Sequence, residues 1–258
     1  MSLTRASLGL AATLLVALLP ACQPYRPQLP VEPRVGPMPS RELSVSQAQL
    51  QQGADEVYAR QISRAAADRV LDTDPAMDAR VQAIVKRLIA ASGALRADAP
   101  NWSWELHVID QAPLDAWCLS GGKMAVHAPL LSRLELDDDE VAALLAHTMA
   151  HALRGHALER AQSEATGDLD RLAFNSAADL PYSRAHESEA DRLGIELAAR
   201  AGFSPRATAG LWRKATALAG TGVQVRWLVI HPFSASREYD IDAVARRVMP
   251  LYDQAKKP

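Results

Sequence analysis

The hydrophobic positions of this chain change period several times, and each change marks an element. Apolar residues recur at helical spacing over 44–71 and again over 77–92, where Val81, Ile84, Val85, Leu88 and Ile89 fall on one stripe. These segments predict two amphipathic helices. Alternation takes over at Trp102-Ser103-Trp104-Glu105-Leu106-His107-Val108-Ile109, and Lys123 to His127, behind the Gly121-Gly122 pair, is a second strand candidate. Helical spacing returns over 136–160 with a polar continuation to about 172, over 184–201 where Gly202 stops it, and over 205–218 and 241–253. The pattern predicts an α+β fold, mostly helical, with a small β-sheet. No internal repeat interrupts it.

The first residues follow a different logic. Arg5, an apolar run from Leu8 through Leu19 and then Leu19-Pro20-Ala21-Cys22 have the layout of a secretory signal peptide, and the run is short of the ~20 residues a spanning helix needs. A small residue before cysteine resembles the lipobox of bacterial lipoproteins, which implies cleavage before Cys22 and acylation of its thiol. An ordinary signal peptide with an incidental cysteine is the alternative. By the lipoprotein rule, Gln23 rather than Asp after the cysteine implies the outer membrane. Six prolines between Pro24 and Pro39 forbid helix and ladder pairing and favour an extended tether. The expected organisation is a signal peptide over 1–21, a lipidated Pro-rich tether over 22–42 and a folded domain over 43–258.

Composition adds limits. With 48% hydrophobic residues and a formal charge of -2, the chain reads as globular with a mixed surface, and no basic patch is dense enough to expect nucleic acid as a partner. Of its two cysteines, only Cys118 remains if Cys22 is acylated, so no intramolecular disulfide is expected and stability must come from a core. Cys118 itself reads as a small buried hydrophobe rather than a nucleophile.

Candidate chemistry sits in the helical half. In Ala146-His147-Thr148-Met149-Ala150-His151 two histidines lie four apart, which puts both imidazoles on one helix face where they could share a zinc ion. Two such histidines also arise by chance. Glu187 and Asp191, again four apart, offer a carboxylate ligand and a second carboxylate to orient a ligand histidine, although a run of this kind is more often an exposed charged helix. Glu189 faces ~200° away from Glu187, Glu140 lies nearly two turns before His147, and His156 points off the ligand face. His107, His127 and His186 have no partner spacing.

Read in order, Asp115-Ala116-Trp117 through Gly121-Gly122-Lys123-Met124, then His147-x-x-x-His151, then Ser183-Arg184-x-x-Glu187-x-Glu189-Ala190-Asp191, then His231-Pro232 with Arg237, resemble metallopeptidase family forty-eight. That family includes the CaaX prenyl proteases, the mitochondrial Oma-type protease and the periplasmic proteases BepA and LoiP. The resemblance runs over roughly 76–245. It implies a zincin-like domain with one Zn2+ held by His147, His151 and Glu187, with Asp191 supporting them or donating a proton. It also implies substrate binding along the strand around Gly122 and Met124, with Arg237, and a regulatory approach of His231 to the metal. A histidine before proline can equally be a loop residue.

Three departures from the family pattern stand out. The general-base glutamate of H-E-x-x-H is Thr148, and loss of a positioned base typically costs ~10²–10⁴-fold in rate. The stretch between His151 and Ser183 is short, and Asp115 replaces an asparagine. The resemblance therefore implies a zinc metalloendopeptidase-type protein of weak or absent activity. It would be lipid-anchored in the periplasm at the outer membrane and act on unfolded or misassembled envelope proteins. The alternative is a pseudoprotease that binds polypeptide clients or assembly partners.

Overall fold

The structure, a computed structural model, describes residues 46–163 and 181–256. The signal peptide, Cys22 and the tether lie outside the described residues, as does most of the polar continuation after 160. Among the described residues helices dominate and pack against one three-stranded sheet.

Local sequence explains where the elements begin. Helix α1 (Gln47–Ala67) starts from a capping box, in which the Ser46 side chain accepts from the Gln49 amide and the Gln49 side chain returns to the Ser46 amide. Helix α2 (Pro75–Ser92) has Asp74 as N-cap and a proline in its first turn, where the missing N–H costs nothing. Strands β1 (Glu105–Ile109), β2 (Ala116–Leu119) and β3 (Lys123–His127) follow in the order β1-β3-β2, with β3 parallel to β1 and antiparallel to β2. Alternation on β3 sends Met124 and Val126 into the main core, while Ala125 packs with Ala65 of α1 and Ile109.

After the short α3 (Ala128–Arg133), helix α4 (Asp138–Arg154) opens with a second capping box, Asp137 with Glu140. Every residue from Glu140 to Leu153 is buried, so α4 is the axis of the molecule rather than an amphipathic surface helix. It ends at Gly155, which takes the left-handed conformation (φ 79, ψ 26), and α5 (His156–Ser163) leaves in a new direction. The single helix expected over 136–160 is thus two, because a glycine C-cap interrupts it.

Among the described residues the remaining helices are α6 (Arg184–Arg200), capped by the Ser183 hydroxyl, α7 (Ala207–Gly220), α8 (Arg226–Ile230) and α9 (Ala235–Ala255). Helices α4 and α6 touch where Gly194 meets His147. A Cβ on Gly194 would lie 2.9 Å from both the backbone N and the Cα of His147, so only glycine permits this approach. No helix among the described residues is long and apolar enough to cross a membrane.

Sheet order corrects one expectation. Strand β3, which carries Met124, is the middle strand with both ladders occupied, and Met124 is buried in the core. It has no edge to offer an extended peptide. The outer edge of β1 is partly covered by residues 70–72, through Asp72 N–H to Val108 O (2.8 Å) and Asp110 N–H to Val70 O (2.7 Å). The strand edge beside the histidine pair belongs to β2, which the alternation did not reveal.

Candidate metal centre

Four buried side chains from three parts of the chain converge: His147 and His151 on α4, Glu187 in the first turn of α6, and His231 at the C-cap of α8. One donor atom from each lies within 4.8 Å of every other. His147 Nε2 is 3.3 Å from His151 Nε2, 3.2 Å from His231 Nδ1 and 3.5 Å from Glu187 Oε2. Glu187 Oε1 is 3.5 Å from His151 Nε2 and 2.9 Å from His231 Nδ1.

These spacings test whether a metal fits. A tetrahedral ion with ~2.0–2.1 Å bonds sets its ligands about 3.3 Å apart, which matches the nitrogen separations. The donor set is three imidazoles and a carboxylate, and Glu187 Oε2 is buried without a hydrogen bond although Arg237 Nη1 stands 2.9 Å away. A divalent cation among these atoms would give Glu187 Oε2 the direct partner that its hydrogen-bond geometry lacks. The residues fit a divalent metal.

Around the four donors the packing is aromatic and charged. His147 packs at right angles to the rings of Trp212 and Trp227, which stack on each other at 4.2 Å, and Tyr182 lies against the rings of His151 (3.9 Å) and His231 (5.5 Å). Asp191 Oδ1 is 3.1 Å from His147 Nδ1 but off the line of a good hydrogen bond, and Arg237 donates to both oxygens of Asp191 at 2.8 Å. Arg237 also donates to Pro232 O (2.6 Å) and lies over the Trp212 ring. Its guanidinium is therefore committed to Asp191, Glu187 and the His-Pro turn, which makes it a support of the cluster rather than the substrate contact expected for it. Gly122 (φ 88) likewise serves geometry, since a Cβ there would strike Trp104.

Electrostatics follow from this burial. Burial alone would raise the Glu187 carboxyl, but the facing His231 and His147 outweigh it and hold it well below the usual carboxylate range. Burial, with His231 and His147 nearby, keeps His151 well below the ordinary imidazole value, and burial lowers His231 as well. His147 runs the other way: burial opposes its charge, yet Asp191 and Glu187 outweigh burial and raise it.

Thr148 is buried one position past His147, and its hydroxyl donates to Leu145 O at 2.9 Å. This back-bond to the preceding turn occupies its only proton. Thr148 lines a cleft of about 280 Å³ between β2 and the cluster, together with Trp117, Cys118, His151, Tyr182 and His231. Glu189 and Glu140 stay out of the cluster as their helical positions predict, bound to Arg154 (2.9 Å) and Lys214 (2.6 Å). Asp115 pairs with Arg226 at 3.2 Å on the rim of the cleft. Tyr182 carries no signal in the sequence, because its place comes from ring contacts with two histidines far apart in the chain.

The pattern of peptidase family M48 matches residues 75–175 and 165–245 of this chain. The chain belongs to that family. Relatives include the mitochondrial metalloendopeptidase OMA1 of Schizosaccharomyces pombe, 32% identical over 186 residues that make up 66% of this chain and 53% of the relative. The OMA1 metalloendopeptidase of Bos taurus is 30% identical over 69% of this chain and 39% of its own length. A beta-barrel assembly-enhancing protease of Yersinia pestis is 25% identical over 84% of this chain and 48% of its own. The chain thus spans about half or less of the length of these relatives. Membership in M48, a mostly helical zincin-like domain with a three-stranded sheet and a His-His-Glu-His donor set together support a metalloprotease scaffold with a metal site.

Proposed function

We propose that this M48 chain is a zinc-binding protein of the cell envelope that takes extended polypeptide along the edge of β2 and hydrolyses it slowly. The observation that carries this reading is Thr148, which stands in the cleft beside His147 with its hydroxyl proton given to Leu145 O. His147, His151 and Glu187 are the proposed zinc ligands, with the fourth position left to water and Asp191 and Arg237 as their support. A bound zinc ion would polarise a peptide carbonyl and lower the pKa of water. The protein must still supply a base, and a threonine hydroxyl cannot accept and return a proton near neutral pH.

Backbone pairing with β2 would lay a peptide beside Thr148, and the buried aromatic shell would exclude bulk water. The proposed clients are unfolded or misassembled envelope proteins, and the beta-barrel assembly-enhancing proteases among its relatives favour that setting. Anchoring through acylated Cys22 and the proline tether rests on the Leu19-Pro20-Ala21-Cys22 block alone. Cys22→Ser should abolish acyl labelling and release the protein from membranes, and unchanged partitioning would remove the anchor from this reading.

The second reading, polypeptide binding without turnover, is favoured by His231, whose Nδ1 lies 3.2 Å from His147 Nε2 and 2.9 Å from Glu187 Oε1, close enough to share an ion with them and close the coordination. Zinc content and cleavage of an unfolded protein substrate, measured for the natural chain, Thr148→Glu and His147→Ala, separate the readings. Slow cleavage that vanishes in His147→Ala and rises by roughly 10²–10⁴-fold in Thr148→Glu supports the enzyme. Bound zinc with no cleavage by either of the first two supports a binding role.

A further inference from the structure

Five positions along a continuous helix would carry the side chain of His156 ~140° away from that of His151. The helix is not continuous there. Gly155 turns the chain through a left-handed conformation, and α5 begins at His156, which returns to the underside of His151 and is fully buried. His156 Nδ1 lies 3.0 Å from His151 Nδ1, and His156 Nε2 lies 3.3 Å from Glu189 Oε2. Glu189 is held in turn by Arg154 Nε at 2.9 Å and Arg192 Nη2 at 3.7 Å.

Only one placement of protons satisfies this row. To offer a lone pair at Nε2 toward His147 and Glu187, a neutral His151 carries its proton on Nδ1. That N–H can donate only to a bare Nδ1 on His156, so the His156 proton sits on Nε2 and donates to Glu189. Each nitrogen is then used once.

We propose that His156 is the positioning residue for His151, fixing its tautomer and ring orientation for metal through the row His151–His156–Glu189. A metal-bound imidazole usually donates its second N–H to an oxygen, and Asp191 stands at that position for His147. For His151 the acceptor is a neutral imidazole backed by a carboxylate. The basicity of His151 toward a cation therefore depends on a side chain outside the donor set. This inference rests on the reading of the four-residue cluster as a zinc site.

The test uses Zn2+ and Co2+ alone as probes of the purified protein, with folding followed by circular dichroism. His156→Phe keeps an aromatic ring and removes the acceptor, and should weaken zinc binding by roughly 10–100-fold, the usual cost of losing an outer partner, and shift the visible Co2+ spectrum. His156→Gln retains one acceptor and one donor and should restore most of both. Glu189→Gln should weaken binding in the same direction by less. If His156→Phe fails to fold, Glu189→Gln decides alone. A natural chain that binds metal, with folded variants matching it in affinity and Co2+ spectrum, overturns the inference. A natural chain that binds no metal overturns the zinc reading beneath it.

Discussion

Arg237 on α9 grips Asp191 on α6 through two hydrogen bonds of 2.8 Å, with both side chains buried. The pair ties the last helix to the helix that carries Glu187, and the third guanidinium nitrogen reaches Pro232 O in the turn after His231. Removing the arginine would strand two carboxylates, Asp191 and Glu187, in the interior. Arg237→Ala should therefore destabilise the fold by about 3–5 kcal/mol, the usual cost of breaking a buried pair. Arg237→Lys should recover little, since an ammonium cannot reproduce the two-pronged contact. Denaturant titration checks this, and a loss under about 1 kcal/mol for Arg237→Ala would show that the pair is not a support.

Stability of the metal-free protein should fall on both sides of a maximum near pH 6.5. His151, His156 and His231 are held below the ordinary imidazole value, so between pH 6.5 and about 4 the unfolded chain binds protons that the folded one refuses. Each such proton removes roughly 1.4 kcal/mol per pH unit as the pH drops. Glu187, with its folded value depressed, extends the loss below the carboxylate range. His147 is raised, so its contribution is lost as pH rises above 6.5. Denaturant midpoints of the chelated protein across pH 4–8 provide the check, and a flat profile below pH 6 would contradict the buried neutral histidines.

Chelation should lower the melting temperature. The proposed ligands lie on α4, on α6 and after α8, so an ion bound there would stabilise only the folded chain. At free zinc one hundred times its dissociation constant the gain is about 2.7 kcal/mol, or roughly 5–10 °C for a domain of this size. His151→Ala should abolish the difference between zinc-loaded and chelated samples. A difference that persists in His151→Ala would place the stabilising ion elsewhere.

What the sequence could disclose tracks how local each feature is. The pairs His147/His151 and Glu187/Asp191 were legible because four residues along one helix fix their relation before any tertiary contact forms. His231 entered only through the family resemblance, since its place beside His147 depends on packing across 84 positions. Strand β2 was missed because Ala116–Leu119 is four residues long and owes its pairing to β3 rather than to alternation of its own. The resemblance implies substrate along the strand of Met124, and that this strand lies in the middle of the sheet does not appear in a linear pattern. Helical geometry turns His156 off the ligand face only if the helix runs on, and it ends at Gly155.

The contact at Gly194 has a consequence for how the centre tolerates change. Helices usually meet through side chains, at 8–10 Å between axes depending on which residues intervene, so their separation drifts as those residues are exchanged. Where Gly194 rests on the main chain of His147, nothing intervenes that could be exchanged. The gauge between α4 and α6 is set by atomic radii. Substitutions elsewhere in the core can therefore swap volume without resetting how far Glu187 stands from the two histidines. The centre inherits its precision from the one position beside it that has no side chain to vary.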